Sequence, residues 1–348
     1  MCRQTLLSAF TRDTLTCEPL RRLGRAARPV SIPTPQIHTP MPLSLVDLRD
    51  PAARTQHRDL AHIAANQTLD GVPVINRTKT LISPFADIVK TPSYSENSGQ
   101  LTGYSVEIED DAAPHGFRHM GNVSERYLLM TNAEVRALGL EIARASGLPF
   151  RETRIFFDGG RFAHVVDFGD EVAQDVSVAG DGSDPVGLSL VMRSSYDQSW
   201  RFEAALMGKR FLCDNGLLSG EFFARVSFKH TTGSASEDWR GVVRDGMRLV
   251  HRAPHDLARF AGALRVLRQA QTSDRRLREV LALFPQFGDS LVGKITRRYA
   301  EAEEATLFGL LQAGTHVLWH NPKQTAADWS HNEAFVTGLV EYAGTRLN

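Results

Sequence analysis

Residues 188–231, LSLVMRSSYDQSWRFEAALMGKRFLCDNGLLSGEFFARVSFKHT, decide the fold class. The runs Val186–Arg193, Trp200–Met207 and Glu221–His230 are short, apolar or alternating, and bounded by turn residues, which predicts strands. Ser194–Ser199 is the polar turn between the first two. In the third run Phe222, Ala224, Val226 and Phe228 alternate with Phe223, Arg225, Ser227 and Lys229, giving one apolar and one mostly polar face. Strands this short, joined by turns, predict a mostly antiparallel sheet.

Upstream, Arg151–Asp158 and Arg161–Phe168 flank Gly159-Gly160, a two-residue connection suited to a primed turn, so a hairpin is expected. Glu125–Met130 alternates loosely like a strand. Thr131 and Glu134 then have capping-box spacing, Val135, Leu138, Ile142 and Ala145 follow at helical intervals, and Gly147 stands where a helix stops. Downstream of Ser236 the period changes to helical. Trp239, Val242, Val243, Met247 and Val250 mark one helix face, and Leu257, Phe260, Leu264 and Leu267 mark another after Pro254. Leu277, Val280, Leu281 and Phe284 follow Ser273 as N-cap, and helical stretches near 289–304 and 306–320 complete the region. The class is α+β, a mostly antiparallel central sheet with a packed helix, followed by a helical C-terminal region. Residues 122–235 form the α+β core and 236–348 the helical part. Residues 41–121 are broken by turn signals into an irregular N-terminal segment. Residues 1–40 are rich in Arg and Pro and are expected to be a disordered extension, with translation starting at Met41.

The 348 residues carry 40 basic and 40 acidic groups, so a wholly basic nucleic-acid coat is excluded and any such role needs local asymmetry. Cys2, Cys17 and Cys213 are too few and too scattered for a disulfide framework or a zinc knuckle, which points to a reducing cytoplasm. No apolar run reaches the roughly 18 residues needed to span a bilayer, so no membrane partner is expected.

Local asymmetry does exist. Between Trp239 and Ala300 thirteen Lys and Arg face five acids, and Arg240, Arg244, Arg248 and Arg252 recur every four residues with His251 beside them. Such a row can track phosphates, or it can be a solvated helix face. Tyr196 and Trp200 flank Asp197-Gln198-Ser199 near Arg193 and Arg210; exposed, their rings would stack on unpaired bases, and packed, they would hold the turn. Cys213 with Asp214, Asn215 and His230 admits a nucleophile reading, against a buried small thiol before a turn. His115 with His119, and His316 with His320, have i, i+4 spacing without a third ligand, so no metal and no other cofactor is expected. Gly180–Ser183 lacks the Lys and helix of a phosphate-binding loop.

With these residues in view, the chain resembles the phage/plasmid-like family grouped as domain of unknown function 932. The likeness rests on Tyr127–Asn132, the Gly159-Gly160 hairpin, Ser195–Ser199, Arg210–Asn215, Lys229-His230-Thr231 and Leu307–Thr315, and covers about residues 90–345. Asp197, Ser199, Cys213, Asn215 and His230 fall in its motifs. Gln198 stands where that turn usually has Gly, and Gln312 where Asn is common. The family's setting in mobile elements is similar to that of single-strand annealing recombinases, which is analogy.

Three expectations follow. The first is a non-enzymatic single-stranded DNA binding or annealing protein, with Arg193, Arg210, Arg240, Arg244 and Arg248 on phosphates and Tyr196 and Trp200 on bases, working as a homo-oligomer. The second is a nucleic-acid- or nucleotide-acting enzyme built on Asp197, Cys213, Asn215 and His230. The third is a structural or host-interaction protein. A groove shared by Tyr196, Trp200 and the arginine row would favour the first.

Overall fold

The computed structural model describes residues 68–69, 71–78, 82–177, 184–210, 216–217, 223, 225–228, 239–302, 304–321 and 325–346. Among them, strands β1 (Thr68–Leu69), β2 (Val72–Asn76), β6 (Phe150–Phe157), β7 (Arg161–Phe168), β8 (Gln174–Asp175), β9 (Pro185–Ser195), β10 (Phe202–Arg210), β11 (Gly216–Leu217) and β12 (Arg225–Phe228) form one sheet in the order β1-β2-β6-β7-β9-β10-β11, with β8 beside β9 and β12 beside β10. All pairings are antiparallel except β2 on β6. Strands β3 (Ile88–Tyr94), β4 (Leu101–Glu109) and β5 (Phe117–Val123) form a second antiparallel sheet. The described α-helices are α1 (Asn132–Ala145), α2 (Trp239–Gln269), α3 (Asp274–Leu281), α4 (Asp289–Glu301), α5 (Leu307–Trp319) and α6 (Ala326–Arg346), with short 3-10 turns at Pro114–Gly116 and Asp170–Val172.

The α+β class read from residues 188–231 holds, and the hairpin falls at Phe150–Phe157 and Arg161–Phe168. The capping box forms as its spacing dictates: the Thr131 hydroxyl accepts from the Glu134 N–H and the Glu134 carboxylate accepts from the Thr131 N–H at 2.7 Å. Gly147, at φ +73°, ends the helix in the left-handed region. Three expectations change. Glu125–Met130 is a turn followed by irregular chain with a single bridge residue at Tyr127, and Lys90 of β3 donates to the Glu125 and Tyr127 carbonyls. Pro254 does not divide two helices; α2 runs unbroken from Trp239 to Gln269. Within the N-terminal segment β2 joins the central sheet and β3–β5 form their own. Helix α6, which the sequence reading did not single out, has a mixed face pattern with no sharp amphipathic stripe.

The central sheet has two unlike faces. One carries Phe162, Val166, Leu190, Met192, Ala204 and Leu206, which join the main core together with Leu138 and Ile142 of α1 and Leu257, Phe260 and Leu264 of α2. The other packs Phe156, Val165, Val191 and Met207 against Trp319 and Trp329. Along this second face charged rungs alternate with apolar ones. Arg193 bonds Glu203 across β9 and β10, and Lys209 bonds Asp167, which also accepts from Ser189 at 2.7 Å. At the sheet's edge Asp184, 1% exposed, takes both Arg210 (2.7 Å, two bonds) and Arg268 (2.7 Å). The two guanidiniums lie 5.3 and 4.7 Å from the Phe308 ring.

On the first face an ionisable group sits in the core. His164, 0% exposed, shares Glu152 with Arg136 of α1; Nε2 lies 2.7 Å from the carboxylate and Arg136 donates twice, at 2.7 and 2.6 Å. Its Nδ1 has no hydrogen-bond partner among the described residues. Gly139 of α1 lies over that nitrogen, where a Cβ would stand 2.9 Å away. Burial would raise the Glu152 pKa, but the bonds from His164 and Arg136 outweigh it and hold it at about 2. Burial lowers the His164 pKa, and the neighbouring carboxylate offsets this only in part.

Both groups bind fewer protons folded than unfolded, so each makes stability fall on acidification. For His164 the loss begins as pH drops below its unfolded value of about 6.5. The Glu152 contribution, on the order of 3 kcal/mol, is full above pH about 4.5 and is lost toward pH 2. Urea unfolding at pH 8, 5.5 and 3.5 is expected to show both steps. His164→Gln, whose amide can still donate to Glu152, removes the first step and shrinks the second, which then rests mainly on Arg136.

Candidate functional site

The polar turn between β9 and β10 is closed on itself. Asp197 accepts from the Ser199 N–H at 3.0 Å and from its hydroxyl, and Arg161 donates to Ser199 Oγ at 2.6 Å and to Asp158 at 3.3 Å. Burial would raise the Asp197 pKa, but the Ser199 bonds and the Arg161 charge bring it below the usual carboxylate value. Gln198 adopts φ +61°, a left-handed backbone that favours glycine, and its side chain donates to the Asn122 carbonyl at 2.6 Å. The glycine usual in the resembling turns is therefore explained by backbone conformation, and here a side-chain bond to β5 accompanies the strained residue.

Tyr196 and Trp200 leave this turn for separate apolar clusters. Tyr196 is 2% exposed, and its hydroxyl accepts from the Asn132 N–H at 2.9 Å, one of the first-turn donors of α1 that no helical carbonyl can satisfy. Burial pushes its pKa well up. Tyr127 lies nearby, its hydroxyl 3.4 Å from the Ser195 carbonyl, and burial with the Asp197 charge pushes its pKa up to about 12. Trp200 is half-buried, 6.2 Å from Phe156 and 6.3 Å from Trp329, with the Arg193 guanidinium 5.5 Å from its ring.

These placements correct the stacking arrangement. Tyr196 cannot offer a ring to a base because the hydroxyl cap and the core claim it. Arg193 (8% exposed) belongs to Glu203, with Glu333 of α6 at 3.8 Å, and Arg210 belongs to Asp184, so neither guanidinium is presented to a phosphate. Of the enzyme reading, Asp197 is described, while Cys213, Asp214, Asn215 and His230 lie outside the described residues. The two histidine pairs also resolve. His115 sits in a tight turn at φ +69° and His119 in β5, bonded to Ser105 at 2.7 Å, so they share no helix. The rings of His316 and His320 lie 4.8 Å apart and tilted along α5 and its cap, and burial first, then the neighbouring His320, lowers the His316 pKa. Among the described residues no group of three or more His, Cys, Asp or Glu is placed to hold a metal. None of the described helices is long and apolar enough to cross a membrane.

The arginine row keeps an outward position. The side chains of Arg244, Arg248 and Arg252 are 63%, 73% and 62% exposed; that of Arg240, at the first turn of α2, lies outside the described set. His251, His255 and Arg259 are exposed on the same face. At about 100° per residue the six positions from 244 to 259 fall within roughly 100° of arc and span about 22 Å. Asp245 and Asp256 neutralise part of the charge, at 3.0 Å from Arg248 and 3.2 Å from Arg252. The opposite face of α2 is locked into the core by Val242, Val250, Ala253, Leu257 and Phe260. His255 and Arg259 did not enter the sequence reading, because Pro254 was expected to end the helix. Their i, i+4 continuation from His251 was the signal.

A family model described as Domain of unknown function (DUF932) matches residues 119–336. No curated protein and no solved structure matches.

Tyr196→Phe is expected to cost about 1–2 kcal/mol, since the buried Asn132 N–H loses its acceptor. Urea denaturation measures it; a change within error would show that the hydroxyl does not cap α1.

Proposed function

The chain belongs to the DUF932 family, and we propose that it binds nucleic acid along the phosphate backbone through the exposed ridge of α2. One observation carries this reading: Arg244, Arg248 and Arg252 keep more than half of their side chains exposed at four-residue intervals, Arg252 while also meeting the buried Asp256, whereas Arg193, Arg210 and Arg268, also basic in the sequence, are themselves largely buried against carboxylates. A row of guanidiniums on a rigid helix neutralises phosphates and releases their counterions, and it needs no cofactor or proton transfer. Without stacking rings, such contacts position the polymer and carry little sequence information. The single-stranded annealing role in mobile elements is the finer form of this reading, and the family resemblance supports it by analogy alone.

Fluorescence anisotropy with labelled single-stranded and duplex oligonucleotides across a salt series tests the proposal. With three to four phosphates neutralised, the slope of log K against log salt is expected to be about −2 to −4. The double variant Arg244→Glu, Arg248→Glu, which leaves Arg252 on the buried Asp256, should weaken binding several-fold at low salt and flatten the slope by about one to two. Absence of binding at low salt, or an unaffected double variant, rejects the reading.

A further inference from the structure

An apolar pocket opens between α3 and α4. Helix α3, residues 282–288 and α4 enclose about 500 Å³, within the range of sites that take one small ligand or an anchoring side chain. Leu277, Leu281, Phe284, Phe287 and Val292 line it. The lining is stiff: Phe284 stacks on Phe287 at 5.2 Å, and both rings pack on Phe335, at 5.0 and 5.8 Å. Ala282, small and exposed, leaves one wall low. Beside it Leu283 is 51% exposed, an apolar side chain held in water near the pocket.

The surroundings are cationic. Arg275, Arg276, Arg278, Lys294, Arg297 and Arg298 lie on α3 and α4, against Asp274, Glu279, Asp289 and Glu301. Two acids are taken by Arg275 (2.8 Å) and Arg298 (3.3 Å). The other two stand in the first turns of their helices, where the positive end of the helix dipole favours them. Arg278, which lines the pocket together with Asp274, is exposed, as are Lys294 and Arg297; these three make no ion pair among the described residues.

We propose that this pocket docks an acidic peptide segment of a partner protein that carries a bulky apolar side chain. The apolar side chain fills the space over Phe284 and Phe287, and the flanking carboxylates meet Arg278 and Arg297. A rigid apolar socket supplies the anchor and the surrounding charge selects the sign of the partner. This surface lies on different helices from the α2 ridge and does not depend on nucleic-acid binding.

The test uses the full chain and short labelled synthetic peptides in which Phe-Leu, Leu-Leu or Trp-Leu is set among Asp and Glu. Saturable binding is expected, weakened at least about tenfold when the apolar pair becomes Ser-Ser or the acids become Lys. Ala282→Trp, which fills the pocket, and Arg278→Glu should each weaken binding by a similar factor with unchanged thermal unfolding, since both positions are exposed. Absence of saturable binding up to about 1 mM, equal binding of the Lys or Ser-Ser peptides, or unaltered affinity in Ala282→Trp overturns the proposal. So does a self-association, seen in sedimentation velocity, that Ala282→Trp abolishes, because the pocket would then belong to a second copy.

Discussion

Burying charge in the middle of a sheet constrains everything else in this fold. The face of the central sheet toward Trp319 and Trp329 holds Asp167, Arg193, Glu203 and Lys209, all under 9% exposed. An ion removed from water must be matched on the spot, and losing one partner of a buried pair costs on the order of 3–5 kcal/mol. The matches run across strands, Arg193 to Glu203 and Lys209 to Asp167. A slip of β9 against β10 by one residue would break a pair as well as turn the apolar set to the wrong face. Register in these strands is thus fixed twice, by hydrophobic alternation and by charge.

This explains how a neutral chain with many arginines can look more basic in sequence than it is at its surface. Arg136, Arg193, Arg210 and Arg268 each sit within hydrogen-bonding reach of a carboxylate that is largely out of water. Arginine suits this work because its planar fork grips a carboxylate at two points and stacks on rings, which lysine cannot do. Outward cations recur on α2, α3 and α4, while others such as Arg126, Arg151 and Arg201 stand singly on turns and strand ends.

Most of the fold was legible from local rules. The Thr131–Glu134 box, Gly147, the Gly159-Gly160 turn and the Ser273 cap each act within a few residues, and a single sequence displays them. What could not be read was long-range. Nothing near Tyr196 says that its hydroxyl will cap a helix 64 residues upstream, nor that Arg210 will find Asp184 and Arg268. A tyrosine, a tryptophan and arginines in one polar block look the same whether they face solvent or seal a core, because burial is decided by helices elsewhere in the chain. Pro254 misled for a related reason: the loss of one helical bond, about 3 kcal/mol in isolation, is outweighed by the packed face of a 31-residue helix.

The cluster of Asp184, Arg210, Arg268 and Phe308 has a consequence for how such a chain can diverge. One carboxylate serves two guanidiniums, and one ring lies against both, so no member has an independent role. Replacing Asp184 strands two cations at once, and replacing either arginine by lysine keeps the charge but surrenders the fork and the stacking. Neutral drift at these four sites is therefore blocked along single-substitution paths, and descendants either keep the quartet or exchange it as a unit. Positions 184, 210, 268 and 308, scattered over 125 residues of chain, should behave as one inherited character.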